Sequence, residues 1–222
     1  MTSYDDKMNE ELRLNSEEVD TIESYNKFNN IGFEYFSRGD YESAIKNMEK
    51  ALNFLEIYIP TNIKYILENL SHRLLFLGLK NELLLQLGIS YRKLGHYYKA
   101  RRIFEDLLYF IKEFDSNNFL GFEDVILGFY PIPKDELLRR VWNEIGLIYK
   151  ELKMYNKALD AFYKTTYKPL NNHSHLYHNP WLEIAYLHEQ LGNSKEAKSA
   201  KKKFKKTNRQ IEKADKKRGG QW

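Results

Sequence analysis

The sequence predicts an all-α protein in which antiparallel helix pairs follow one another along the chain. Three observations support this prediction. Apolar residues recur at three- and four-residue spacing over most of the chain, as they do on one face of an amphipathic helix. Gly39, Gly95 and Gly192 interrupt that spacing where a helix would end in a turn. A pattern of Trp, Gly, Tyr, Ala and Phe between Trp142 and Phe162 returns in near-copies upstream and downstream.

The composition indicates a folded, soluble chain. Its 222 residues are 42% hydrophobic and 15% aromatic, which argues against general disorder. The longest apolar runs, such as residues 74–79, are far too short to span a bilayer. The N-terminus is acidic and has no apolar core of a signal peptide. We therefore expect no transmembrane segment and an intracellular, cytoplasmic location.

The net charge of +4 conceals an asymmetry between the two ends. Residues 1–20 have a net charge of −5, and residues 195–222 have a net charge of +9. The sequence between them is nearly neutral. We predict an acidic mobile arm at residues 1–20, a single helical domain at 21–213 and a basic tail at 214–222.

The first predicted helix pair begins at Tyr25. Apolar residues follow at helical spacing, and Gly39 ends this helix because glycine tolerates the left-handed conformation of a helix C-cap. A second helix begins near Tyr41, and we expect Pro60 to end it.

The same unit returns three times. It begins again at Asn81, with its turn at Gly95, and at Arg139, where the pattern is best preserved. A weaker copy includes Trp181 and turns at Gly192. Its last helix, from about residue 194 to 213, has a narrow apolar stripe on an otherwise basic surface, as expected of the polar end of a repeat array.

These residues resemble the tetratricopeptide repeat, a helix–turn–helix unit of about 34 residues. The family's Trp position holds Phe28, Leu84, Trp142 and Trp181. Its Gly position holds Gly32, Gly88, Gly146 and Ala185, and its Tyr position holds Tyr35, Tyr91, Tyr149 and His188. Its Ala position in the second helix holds Ala44, Ala100, Ala158 and Ala197. The resemblance implies an α-solenoid, a right-handed superhelical stack of antiparallel helix pairs, with repeats at about 25–58, 81–114, 139–172 and 178–213.

The repeats are spaced irregularly, because their Gly positions lie 56, 58 and 39 residues apart. The addition at 59–80 has an apolar helical stripe, which indicates either an independent helix or an N-terminal extension of the next helix, kinked near Gly78. The addition at 115–138 includes an apolar segment rich in Gly and Pro at 119–133, which we interpret as a loop that either fills the groove or docks outward.

The sequence contains no pattern typical of catalysis or of a cofactor site. It has no Gly-rich phosphate loop, nucleophile elbow or His-Glu-x-x-His motif, and it has no cysteine. His173, His175 and His178, with His188 further along, are the one cluster that could bind a metal, but polar loop histidines explain it better. We therefore expect a non-enzymatic protein with no cofactor and no metal.

In tetratricopeptide repeats the first helix of each pair lines a concave groove, which implies a site for a protein or peptide segment. Carried over to this sequence, the groove residues are Asn29, Phe33, Phe36, Leu85, Ile89, Arg92, Lys93, Arg140, Asn143, Leu147, Lys150 and Tyr186. The family members that clamp chaperone tails need a basic residue and asparagines where this chain has Asn29, Phe33 and Gln86. That class of partner is therefore disfavoured.

The leading functional hypothesis is an interaction module, an adaptor or scaffold that binds a protein segment in its groove. One alternative is an RNA- or nucleoprotein-associated factor that uses the basic C-terminal helix and tail. The basic patch for that alternative is Lys201, Lys202, Lys203, Lys205, Lys206 and Arg209. Another alternative is a structural subunit of a larger complex, which contacts its neighbours through the two additions. The sequence specifies neither the partner nor the oligomeric state.

Overall fold

The computed structural model describes residues 16–61, 70–115, 134–166 and 179–218, and the regular structure within them is α-helical. In chain order the helices are α1 (Ser16–Ser37), α2 (Tyr41–Thr61), α3 (Leu70–Lys93), α4 (Tyr97–Asp115), α5 (Lys134–Glu151), α6 (Tyr155–Thr165), α7 (Pro180–Gln190) and α8 (Ser194–Arg218). The predicted all-α fold of antiparallel helix pairs is confirmed.

The chain divides into two compact units, residues 1–134 and residues 135–222. The N-terminal unit contains α1 to α4, and the C-terminal unit contains α5 from Asp135 onwards together with α6 to α8. The grouping of residues 21–213 into one domain, like its acidic arm and basic tail, stays a prediction. No helix in the described ranges is both long enough and apolar enough to cross a bilayer.

Glycines let the two helices of a pair approach closely. A Cβ atom added to Gly32 of α1 would lie 2.8 Å from Cγ of Met48 on α2. A Cβ on Gly88 of α3 would lie 2.6 Å from Cε1 of Phe104 on α4. Both distances are too short for real side chains. The repeated Gly position is therefore a place where one helix backbone rests on a large side chain of the next helix.

The turns between paired helices use one conformation. Gly39, Gly95 and Gly192 have φ angles of +80°, +77° and +74°. Lys153 occupies the equivalent place in the third pair and has a φ angle of +56°, in the left-handed region that favours glycine. The third repeat therefore makes the same turn with an unfavourable residue, which the glycine pattern of the sequence did not reveal.

Each unit has its own buried core. In the N-terminal unit the fully buried large side chains include Tyr25, Met48, Leu83 and Phe104. The hydroxyl of Tyr25 donates a hydrogen bond to the carbonyl oxygen of Leu79 at 3.2 Å, which joins α1 to α3. In the C-terminal unit the buried cluster consists of Ala158, Leu159, Phe162, Ile184, Ala185, Leu187 and Ala200.

The helix bounds depart from the sequence prediction in two places, and in a third they agree with one of its two alternatives. Helix α2 includes Pro60 and ends one residue later, so the proline lies in the last turn of the helix rather than beyond it. Helix α3 is continuous through Gly78, so residues 70–80 extend the first helix of the second pair. Helix α5 begins at Lys134, inside the addition assigned to 115–138. The apolar loop at 119–133 lies outside the described residues.

Candidate protein-binding surfaces

The inner face of the N-terminal unit is defined by residues that α1 and α3 present at the groove positions. On α1, Asn29, Phe33 and Phe36 lie on one side because their spacing is four and then three residues. Phe33 is 50% exposed and stacks on Phe36 with ring centroids 6.4 Å apart. Phe36 meets the ring of Tyr41 edge-on, which fixes the aromatic pair on the surface.

The residues of α3 divide between the core and this inner face. Leu85 is only 1% exposed, because α3 packs against both α2 and α4, so it contributes to the core rather than to an accessible surface. Ile89 and Arg92 are half-buried, and Lys93 is exposed. The accessible N-terminal inner face therefore consists of Asn29, Phe33, Phe36, Ile89, Arg92 and Lys93.

The inner face of the C-terminal unit is formed by α5 and α7. Nζ of Lys150 lies 2.9 Å from Oε2 of Glu183 and 5.5 Å from the ring centroid of Tyr186. These contacts place the groove side of α5 directly beside α7. Both charged side chains are largely shielded from solvent, so this pair is better placed to hold the two helices than a fully exposed one.

Other groove residues extend this surface along α5. Arg140, Asn143 and Leu147 are half-buried and lie on the side of α5 that includes Lys150. On α7, Tyr186 is 42% exposed, and one helical turn before it Leu182 is 46% exposed. The C-terminal inner face thus consists of Arg140, Asn143, Leu147, Lys150, Leu182 and Tyr186. Leu182 lies four residues before Tyr186, on the same side of α7.

Two buried amide oxygens underlie the inner faces. Oδ1 of Asn29 and Oδ1 of Asn143 are inaccessible to solvent and have no hydrogen-bond partner in the described part of the chain. The two asparagines hold the same position in the first and third repeats. A buried acceptor without a donor costs about 1–3 kcal/mol. Each inner face therefore holds an acceptor that an incoming N–H group could satisfy once the amide rotates outward.

The predicted basic patch on α8 separates into two groups. Lys201 pairs with Glu189 of α7, and Nζ of Lys203 lies 4.2 Å from the ring centroid of Trp181. These two cations contact α7 at the surface, while Ala200 packs against α7 in the buried core. All six residues of the patch are exposed, and Lys202, Lys205, Lys206 and Arg209 are the members outside these two contacts.

His188 is explained by packing. It is 7% exposed, and its Nε2 atom lies 2.9 Å from the hydroxyl of Tyr163. Its Nδ1 atom lies 3.4 Å from Nδ2 of Asn193. Both ring nitrogens therefore have protein partners. The sequence did not predict Tyr163 and Asn193 as partners of His188. The available signal was that His188 occupies the position where the repeat family has Tyr.

No metal centre is present among the residues with described side chains, where no group of three or more His, Cys, Asp or Glu could hold an ion. The predicted cluster of His173, His175 and His178 lies outside the described residues. Its interpretation as polar loop histidines stays a prediction.

Comparison with known families supports the assignment of the repeats. Models described as "Tetratricopeptide repeat" match residues 28–54, 82–109 and 140–165. These ranges fall on the pairs α1–α2, α3–α4 and α5–α6. No curated protein matches the sequence significantly. Tetratricopeptide repeats generally mediate protein–protein interactions and scaffolding, and proteins built from them are typically not enzymes. The chain therefore contains segments that match the tetratricopeptide repeat in three of its helix pairs.

Proposed function

We propose that this protein is a non-enzymatic interaction module whose inner faces bind protein segments with apolar anchors. One observation supports the proposal most directly. Of the large hydrophobic side chains that are exposed in the described ranges, Phe33, Leu182 and Tyr186 lie at groove positions. Aromatic and apolar side chains that are exposed in a free protein and become buried in a complex supply most of the energy of an interface.

The setting of these side chains favours an extended or helical segment as the ligand. Phe33 and Tyr186 each project beside a polar neighbour, Asn29 in the N-terminal unit and Lys150 in the C-terminal unit. An apolar anchor of the partner would pack on the ring. Once its amide rotates outward, the buried asparagine oxygen that lacks a donor would accept a hydrogen bond from a backbone N–H group of the partner.

The two inner faces are separate candidate sites, one in each unit. A ligand of the N-terminal inner face would depend on Phe33, and a ligand of the C-terminal inner face would depend on Tyr186. Both side chains are partly exposed, so their removal costs little stability and mainly alters the surface.

The test is a selection of peptides from a random phage-displayed library with the purified full chain as bait. The affinity of each selected synthetic peptide is then measured by calorimetry for the wild type, for Phe33→Ala and for Tyr186→Ala. We expect one of these two variants to weaken a given peptide by at least about 30-fold, the size of an interface hot spot.

The matched controls are Tyr98→Ala and Tyr109→Ala on α4, since both tyrosines are more exposed than Phe33 but lie outside the groove positions. These controls should keep the wild-type affinity. If the library yields no binder, or if the control variants weaken binding as much as the inner-face variants do, the proposal is wrong.

A further inference from the structure

The outer side of α8 has a continuous stripe of basic side chains. This basic stripe consists of Lys195, Lys198, Lys202, Lys206, Arg209 and Lys213. Successive members are three or four residues apart, so they lie along one side of the helix, and all six are exposed. At 1.5 Å per residue the stripe is about 27 Å long. We propose that the stripe binds the phosphate backbone of a nucleic acid.

The stripe lies opposite the side of α8 that packs. Ala197 and Ala200 are each 3% exposed, and Asn208 accepts a hydrogen bond at 2.7 Å from Nδ2 of Asn179, at the start of α7. The acidic residues of α8 with described side chains, Glu196 and Glu212, fall outside the stripe. Glu212 lies three residues after Arg209, at the edge of the stripe, so a ligand would meet an uninterrupted line of cations from Lys195 to Arg209.

The fold does not need these six cations. The lysines of α8 that contact α7 are Lys201, which pairs with Glu189, and Lys203, which lies over Trp181. Neither belongs to the stripe. The stripe residues are thus available for a ligand while the fold keeps its own ion pair and cation–π contact.

The arrangement opposes helix stability when no ligand is bound. Like charges three or four residues apart repel, at a cost of about 0.2–0.5 kcal/mol for each pair. Elsewhere this chain places opposite charges at that spacing, as in Glu34 with Arg38 and Arg101 with Glu105. A line of anionic groups would remove the repulsion along α8.

A nucleic acid suits this surface better than a membrane does. An amphipathic helix that lies in a membrane surface inserts an apolar face, whereas Ala197 and Ala200 of α8 are buried within the C-terminal unit. A nucleic-acid backbone presents a line of phosphates and needs no apolar contact. The stripe has no aromatic side chain to stack on bases, so binding should depend on salt and be independent of base sequence.

The test measures the fluorescence anisotropy of labelled oligonucleotides with the full chain over a series of KCl concentrations. The probes are a mixed-sequence single-stranded RNA and a DNA duplex. The stripe variant combines Lys202→Gln, Lys206→Gln and Arg209→Gln. The control variant combines Lys46→Gln, Lys112→Gln and Lys157→Gln, which remove the same charge from exposed positions on other helices.

We expect the wild type to bind at least one probe, with an association constant that falls steeply as salt rises. The stripe variant should bind at least about 10-fold more weakly at low salt. For a single strand, the slope of the logarithm of the association constant against the logarithm of the salt concentration should be shallower by about two. Each lost phosphate contact removes about 0.7 from this slope, and the variant removes three cations. The control variant should stay within about twofold of the wild type, and both variants should keep the wild-type helix content.

Three results would overturn the proposal. The first is no binding to either probe at low salt. The second is an equal loss of affinity in the stripe and control variants, which would indicate a general charge effect. The third is binding to phosphatidylserine vesicles or to polyglutamate without binding to either oligonucleotide, which would assign the stripe to a membrane or an acidic protein.

Discussion

Gly146 on α5 lies so close to Phe162 on α6 that an added Cβ atom would be 2.9 Å from both Cε1 and Cζ of the ring. The ring is fully buried among the core side chains of the C-terminal unit, so it can move away only by displacing its neighbours. Gly88 and Phe104 repeat this arrangement in the N-terminal unit. The best-preserved residues of the repeat are therefore explained by contact between helices, and the proposed recognition would use the side chains between them.

Replacement of Gly146 by alanine should destabilise the C-terminal unit by about 1–3 kcal/mol. In an exposed helix the same change would stabilise by about 1 kcal/mol, because alanine is the better helix former. Urea denaturation measures the difference. The variant Gly146→Ala combined with Phe162→Leu should lose less than the sum of the two single changes, since leucine gives the new methyl group space. A Gly146→Ala variant more stable than the wild type would contradict the contact.

The left-handed turn at Lys153 should be improved by glycine. A residue with a Cβ atom pays about 1–2 kcal/mol in this conformation, and glycine avoids that cost but loses more backbone entropy on folding. We expect Lys153→Gly to raise the free energy of unfolding by about 0.5–1 kcal/mol. The converse change, Gly95→Lys, should lower it because Gly95 has a φ angle of +77°. Thermal denaturation of both variants measures these changes in stability. A change in the same direction in both variants would contradict the role of the left-handed conformation.

Stability at alkaline pH should depend on Tyr91. Burial, together with a hydrogen bond from its hydroxyl to the Glu49 carboxylate, raises the pKa of Tyr91 to about 12. Because the ordinary pKa of a tyrosine is about 10, the folded state holds this proton more tightly than the unfolded chain does. The stabilisation is complete below pH 10 and is lost as the pH rises towards 12.

The measurement for Tyr91 is the free energy of unfolding as a function of pH, for the wild type and for Tyr91→Phe. The decline between pH 10 and 12 should be shallower in the variant. Burial also raises the pKa of Tyr25, so part of the decline should persist in Tyr91→Phe. Parallel curves for the two proteins would show that the hydroxyl of Tyr91 does not contribute.

His188 should behave as a packing residue. His188→Ala removes a buried ring and leaves the hydroxyl of Tyr163 without this partner, so we expect a loss of about 2–4 kcal/mol. His96→Ala provides the control, because His96 is exposed and its removal should cost less than about 1 kcal/mol. The midpoints of urea denaturation distinguish the two changes. A stability loss at His188 no larger than at His96 would refute the packing role.

The repeats could be predicted because their packing rule is local and periodic. Gly32, Gly88 and Gly146 each face a large side chain about 16 residues later in the sequence, so one pattern specifies both helices and their contact. The all-α fold and the start of each pair follow from that pattern. Phe33 and Tyr186 are exposed at the positions that the repeat assigns to a groove, and their role in a binding groove stays a prediction.

Other features depend on contacts that no local pattern specifies. Leu85 holds a groove position but is buried, because α3 has neighbours on both sides. Lys201 and Lys203 appear equivalent to Lys202 and Lys206 in the sequence, yet only the first two contact α7. No glycine in the sequence indicates the left-handed turn at Lys153. Each of these required the tertiary structure.

The most direct test of the central claim, that the inner faces bind a protein segment, is the mapping of a selected peptide on the full chain. A photo-reactive phenylalanine analogue would replace Phe33, Tyr186, Tyr98 or Tyr109, one position at a time, and crosslinking to the peptide would be quantified by mass spectrometry. The account predicts crosslinks from Phe33 or Tyr186 and background levels from Tyr98 and Tyr109. Crosslinks from the α4 tyrosines, with none from Phe33 or Tyr186, would contradict it.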